Sequence, residues 1–235
     1  MLAIFLKTLP FFAVIGLGFA AGRMRFFTAE ATVYLTKFVF YFALSAMLFG
    51  FAANLDLSAV FSWAFVWAYF LASSLVWALV AAVALLRGAG PEEAVFEAHT
   101  GVIGNVGFLG IPMLTLLLGK AAVGPVLLVL AVDLIVFSSV LTIVITGVRE
   151  GRMSFGIFRI LAVGLLKNPM IVSVSLGLAW GATGWKLPVP VNEFMTLLGA
   201  AATPCALFAI GGSLAGRSAE RWPVAGWLSV SKLFL

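Results

Sequence analysis

"GNVGFLGIP", residues 104–112, lies inside one of the longest apolar stretches of a 235-residue chain. Three glycines, an asparagine and a proline stand there, where a bilayer-crossing helix would be expected to run unbroken. An unsatisfied backbone group is costly in hydrocarbon, so a helix breaks at membrane depth only where protein or a polar cavity covers the break. Gly104, Gly107 and Gly110 permit close backbone approach and non-helical dihedrals, and Pro112 lacks the amide that a continuing helix would use. Two half-helices meeting there would turn a positive N-terminal end and a carbonyl-rich C-terminal end toward one locus, suited to an anion and a cation respectively. Asn105 can both donate and accept at that locus. The alternative is a merely kinked helix whose small residues allow tight packing.

The rest of the chain makes lipid the natural solvent. It is 63% hydrophobic and 10% charged, with a mean hydropathy of +1.19, whereas soluble domains are about 45–50% apolar and about 25% charged. Eight apolar segments follow one another, near 3–21, 31–52, 59–86, 92–117, 123–147, 157–181, 190–214 and 223–235. The first seven have the roughly 20 residues that a span requires, and the eighth stops short. The first lacks the basic leading region and cleavage site of a signal peptide, so it is read as a retained helix. Breaks fall at "AGRMRFF", "AANLDLS", "LRGAGPEEA", "VREGRMS" and "AGRSAERWP". No linker or second domain interrupts the series, so the bundle itself is the functional unit. The lone Cys205 excludes an intrachain disulfide.

Charge sets an expected orientation. Arg23, Arg25, Arg87, Arg149, Arg152, Arg159, Lys167, Arg217 and Arg221 gather in or beside the loops after segments 1, 3, 5 and 7, against Lys7, Lys120, Lys186 and Lys232 on the other side. The positive-inside rule then places the N-terminus outside the cytoplasm, in a multi-pass protein of the cell inner membrane. The same rule accounts for the basic excess, so nucleic acid is not an expected partner.

The chain also repeats itself. "LPFFAVIGLGFAAGR" holds Pro10, Gly18 and Gly22, and "NPMIVSVSLGLAWGA" holds Pro169, Gly177 and Gly181, each shifted by 159. The shift persists into the next segment, where "AMLF" at 46–49 falls over "CALF" at 205–208. Five spans separate equivalent segments. An odd number reverses membrane direction, so the expected organisation is an inverted repeat, 1–148 and an incomplete 149–235, as in many secondary transporters.

"GNVGFLGIP" in a fourth helix, "KNP" at 167–169 and "ATPCALFAIGGSLAG" at 202–216 together resemble the auxin efflux carrier family, particularly its bacterial branch and its malonate or malate permease-type members. The resemblance covers essentially the whole chain. It implies an all-α polytopic membrane protein with an inverted-repeat secondary transporter fold, similar to bile-acid and sodium symporters. Ten spans in two repeats of five are implied, with the fourth and ninth helices broken and crossing at the substrate site. It further implies transport of a small organic anion, auxin-like or a dicarboxylate. Carried over by motif, Gly104, Asn105, Gly107, Gly110 and Pro112 form the first crossover, and Asn168 and Pro169 open the second repeat. Ser45 departs from the pattern, standing where many relatives have proline and where the second repeat of this chain has Pro204. A straighter second helix is expected from this, with Ser45 bonded to a carbonyl of its own helix. Under the 159-residue shift the second repeat would end near 306 and hold its own interruption near 263–271, so a continuation of about 70 residues past Leu235 is expected.

Among the remaining polar residues, Asp133 lies well inside the fifth segment, where a lone carboxylate is expensive and suggests ion coupling, by H+ or Na+. The alternative is a carboxylate satisfied by neighbouring donors. Glu97 and His99, near the start of the fourth segment, suggest a surface or gate-side role. They make no metal signature with Asp133, and no metal or cofactor is expected. Pro169, Thr203 and Pro204 are candidate helix bends, and Cys205 a small buried filler. No assembled nucleophile, base or nucleotide motif points to an enzyme or an ATP-driven pump. The expected partners are a small organic anion, membrane lipid and a second copy in a homodimer. A non-transporting scaffold or a truncated inactive carrier is the alternative function.

Overall fold

In the computed structural model, residues 2–55, 61–150, 156–217 and 222–234 are described, and every regular element among them is helical. The helices are α1 (Leu2–Arg23), α2 (Ala29–Ala53), α3 (Trp63–Leu86), α4 (Pro91–Val102), α5 (Ile111–Leu118), α6 (Val123–Arg149), α7 (Gly156–Lys167), α8 (Pro169–Ala182), α9 (Val189–Ala200), α10 (Ala202–Ala215) and α11 (Trp222–Phe234). Six stretches are long and apolar enough to cross a membrane, and α7 with α8 makes a seventh if taken as one span. Helix α1 is apolar all round and leaves Leu2, Phe12 and Leu17 between 60% and 71% exposed. Such a helix needs lipid as its solvent. Arg152 and Arg221, two of the nine basic residues that set the expected orientation, lie outside the described residues.

The chain folds as two compact units. The first comprises Met1–Phe61, Asn105–Leu127 and Asn168–Ser218. Its most extensive packing is of α1 on α10 and of α8 on α2. Glycine makes both approaches close. A Cβ on Gly18 would fall 2.1 Å from the Phe208 carbonyl oxygen, and one on Gly177 would fall 2.8 Å from that of Phe49. Gly22 and Gly181 likewise lie against the carbonyl oxygens of Gly212 and Ala53, at 3.2 and 3.3 Å from their would-be Cβ atoms. Phe49 and Phe208, and Ala53 and Gly212, are each 159 apart, the same shift that relates the glycines. Residues matched by the sequence repeat therefore make matched contacts, the first helix of each half packing on the second helix of the other.

Helix α2 carries a π turn at Val39–Ala43. As expected from the sequence, the Ser45 hydroxyl donates to a carbonyl of its own helix, that of Phe40 at 3.0 Å, five residues back, in the wider register of that turn. One sequence expectation needs correction: the sixth segment is not one helix. Helix α7 stops at Lys167, and the Asn168 side chain accepts from the Met170 and Ile171 amides at 3.0 and 3.4 Å to start α8 afresh, with Pro169 in its first position. Pro169, a candidate bend in the sequence, stands at this break in a bent helix pair, and an asparagine cap followed by proline is a helix start.

The second unit comprises Ser62–Gly104, Leu128–Lys167 and Ala219–Leu235. Ser62 caps α3 through the Phe65 amide at 3.2 Å, and Gly88, at φ 84°, turns the chain toward Pro91, which opens α4. Helix α4 packs on α3, α6 and α11. At the tightest point a Cβ on Gly101 would meet the two Val80 methyls at 3.2 and 3.3 Å and the Ser231 hydroxyl at 3.5 Å. Ion pairs of Arg87 with Glu97 and of Arg149 with Glu92 tie α4 to the end of α3 and to α6.

Candidate functional site

Helical hydrogen bonding lapses at Ile103, Gly104 and Asn105. Ile103 is extended, at φ −73° and ψ 121°, while its amide still donates to the His99 carbonyl at 2.8 Å. Asn105 begins the next piece. Its side-chain oxygen accepts from the Phe108 amide at 3.2 Å, and its carbonyl accepts from the Leu109 and Gly110 amides at 3.1 and 3.0 Å. A π turn, Val106–Gly110, leads into α5.

The break is thus shorter and earlier than the glycine run suggested. Gly107 and Gly110 belong to the π turn, and Pro112 follows it as the second residue of α5, inside a helical run that already began at Val106. A Cβ on Gly110 would meet only ordinary contacts at 3.6–3.7 Å, so close approach does not require that glycine. Gly104 and Asn105 are exposed and not covered by packed side chains, although Gly107 is buried.

In the second unit, the side of the break that belongs to α4 has a partner. The Lys232 ammonium, on α11, donates to the Thr100 and Ile103 carbonyls at 2.8 and 2.6 Å. These are carbonyls that a terminating helix leaves without intrahelical donors. Asp133 opens a π turn, Asp133–Phe137, within α6 and is 3% exposed. Its Oδ1 accepts from the Tyr69 hydroxyl at 2.7 Å, and its Oδ2 is buried without a partner among the described residues. The Ser138 hydroxyl donates to the Asp133 carbonyl at 3.1 Å, holding that turn.

Glu97 is only 6% exposed and is paired with Arg87, which corrects the expected surface position. A carboxylate this deep needs a cation, and Arg87 reaches it from the end of α3. His99 Nδ1 is also buried without a partner among the described residues. Tyr69, Arg87 and Lys232 were absent from the sequence expectation for the site. A tyrosine within an apolar helix and a lysine within the eighth segment were the available signals.

The first unit contains a cavity of about 660 Å³. Pro112 and Thr203, singled out separately in the sequence, both line it, together with Thr115, Asn54 and Asn192. Thr115 Oγ1 is buried and has no partner among the described residues. Asn54 donates to the Gly50 carbonyl at 2.7 Å and to Asn192 at 3.5 Å. Thr203 and Pro204 stand in the first turn of α10, just after the single non-helical residue, Ala201, that separates it from α9. Cys205 is half-buried, and no group of three or more potential metal ligands occurs among the described residues.

The family model described as "Membrane transport protein" matches residues 3–234. The chain belongs to that family, the auxin efflux carriers. It is therefore a multi-pass membrane transporter and not an enzyme. Among the relatives of this carrier is a Rhizobium meliloti (strain 1021) protein named "Putative malonate transporter", 30% identical over 234 residues. The aligned region covers 97% of this chain and 72% of that protein.

Proposed function

We propose that this carrier moves a small organic anion, of the dicarboxylate class represented by malonate, across the cell inner membrane by secondary active transport with alternating access. The observation that carries the reading is the interruption at Ile103–Asn105, with Lys232 on the carbonyls that precede it and the Asn105 side chain on the Phe108 amide that follows. Such helix ends serve transporters as ligand and ion sites. Gly104, Asn105, Gly107, Gly110 and Pro112 then form the substrate crossover, and Asp133, with one oxygen that has no partner among the described residues, is the coupling carboxylate. The matched glycine contacts support an inverted repeat, 1–148 with 149–235, and the distribution of basic residues supports a non-cytoplasmic N-terminus. The relative's printed name supports malonate as the first substrate to test.

The test is uptake of labelled malonate by the intact protein in proteoliposomes. Saturation and counterflow are expected. Linear, non-saturating flux would point to a channel, and absence of flux for any organic acid would leave a non-transporting membrane scaffold.

A further inference from the structure

Helix α4 ends inside the second unit with a side chain, not a further turn, on its last carbonyls. The Lys232 ammonium meets Thr100 at 2.8 Å and Ile103 at 2.6 Å. The approach is built by small residues. Gly101 lets α4 lie against Val80 and Ser231, and Ser231, 1% exposed, is held by its hydroxyl on the Leu228 carbonyl at 3.0 Å. The next residue along α11 is the lysine.

Carbonyl oxygens at a helix C-terminus, with a carboxylate near by, are the surroundings that hard monovalent cations favour. Among the described residues, Asp133 on α6 and His99 on α4 are titratable groups of the same unit whose charges act on the ammonium, and Asp133 is the carboxylate of the two. An ammonium brings one positive charge and three donors, and it accepts nothing. At these oxygens it does what a bound sodium ion would do, but it cannot dissociate from the chain.

We propose that Lys232 is a tethered cation, seated on the carbonyl end of α4 in place of a mobile ion, so that this carrier caps that helix end without bound sodium. The inference rests on the break described above and is independent of which anion is carried. Two of the ammonium's donors already serve main-chain carbonyls, which argues against Lys232 as the principal ligand of a substrate carboxylate.

Thermal unfolding of the intact detergent-solubilised protein, followed by tryptophan fluorescence, tests this without substrate. Wild-type protein is expected to melt at the same temperature in sodium chloride and in choline chloride. Lys232→Ala is expected to melt about 5–10 °C lower and to recover at least half of that loss with added sodium or methylammonium, whereas choline is too large to help. Lys232→Arg, which keeps the charge, should lose less than Lys232→Ala. A sodium-dependent rise in the wild-type midpoint would show that the seat is open to ions and would overturn the proposal, even if Lys232→Ala could not be recovered folded. An unshifted Lys232→Ala midpoint with a raised KM for the anion would instead place the lysine in the substrate site. Failure of wild-type protein to transport malonate would count against the proposed function and leave this melting comparison intact.

Discussion

Gly18→Ala is one of the two sharpest perturbations of the packing between α1 and α10. The added Cβ would stand 2.1 Å from the Phe208 carbonyl oxygen and 3.0 Å from its Cα. Carbon and carbonyl oxygen in non-bonded contact sit about 3.3–3.6 Å apart, so the helices must separate by roughly 1 Å. The obstructing atoms are main chain, and no rotamer change can relieve them. Overpacking of this kind costs about 1–3 kcal/mol, and a gap opened along the rest of the face forfeits part of its dispersion energy as well. A total near 3 kcal/mol corresponds to a Tm lowered by about 6–12 °C in a chain of this length. Gly211→Ala, with the Ile15 carbonyl oxygen 2.0 Å from its Cβ, should match it. Gly177→Ala meets Ala52 Cβ at 2.7 Å and the Phe49 oxygen at 2.8 Å, and should lose about half as much. Gly16→Ala finds nothing within 4 Å and, replacing a helical glycine, should be neutral or stabilising. Melting curves of the four purified variants check the order. Equal midpoints for Gly18→Ala and Gly16→Ala would refute the close-packed interface.

Asn105→Ala removes the cap on the Phe108 amide, a loss of about 1 kcal/mol, and should raise KM for malonate with little change in abundance; unaltered KM would take Asn105 out of the site. Asp133→Asn should suppress gradient-driven uptake more than equilibrium exchange, since an amide cannot cycle a carboxylate proton; equal losses in the two assays would indicate a packing defect. Arg87→Met strands the buried Glu97 and should cost about 3–5 kcal/mol, recovered largely by the paired change Glu97→Gln; a stability unchanged by Arg87→Met alone would mean that Glu97 is not held as an ion. In a Cys205→Ala background, a cysteine replacing the exposed Phe26 should label only from the cytoplasm and one replacing the exposed Trp185 only from outside; the reverse pattern would invert the topology.

Segment number, helical class and family motif were legible because each follows from long runs of residues, where hydropathy and spacing accumulate. Close helix contacts were legible for a related reason: glycines at a helix crossing have few substitutes, and Gly18 and Gly177, 159 residues apart, lie against the Phe208 and Phe49 carbonyls. Local register was not. Between Gly104 and Pro112 the sequence shows which residues can tolerate irregular backbone, while the hydrogen bonds decide which ones adopt it. Asn105 captures the Phe108 amide and starts the next helical piece at Val106, so that Pro112 lies within that piece and does not mark the break. At 167–169 the sequence likewise marked a bend, at Pro169, while the Asn168 hydrogen bonds make it a helix start. The partners of buried charges were the least legible. Arg87 lies ten residues from Glu97, but Tyr69 is 64 residues from Asp133 and Lys232 more than 120 from Thr100, distances over which no local pattern operates.

The crossed packing of the first unit sets a timetable for biogenesis. The Gly18 face of α1 leaves the ribosome some 190 residues before Phe208, against which it packs. At about 5–20 residues per second that interval is roughly 10–40 s, spent in the membrane with a glycine groove against lipid or insertion machinery. Helix α2 waits in the same way for α8. Neither early helix can dock on its final partner until the later pair arrives, so the early half should remain a client of membrane quality control until α10 has been inserted.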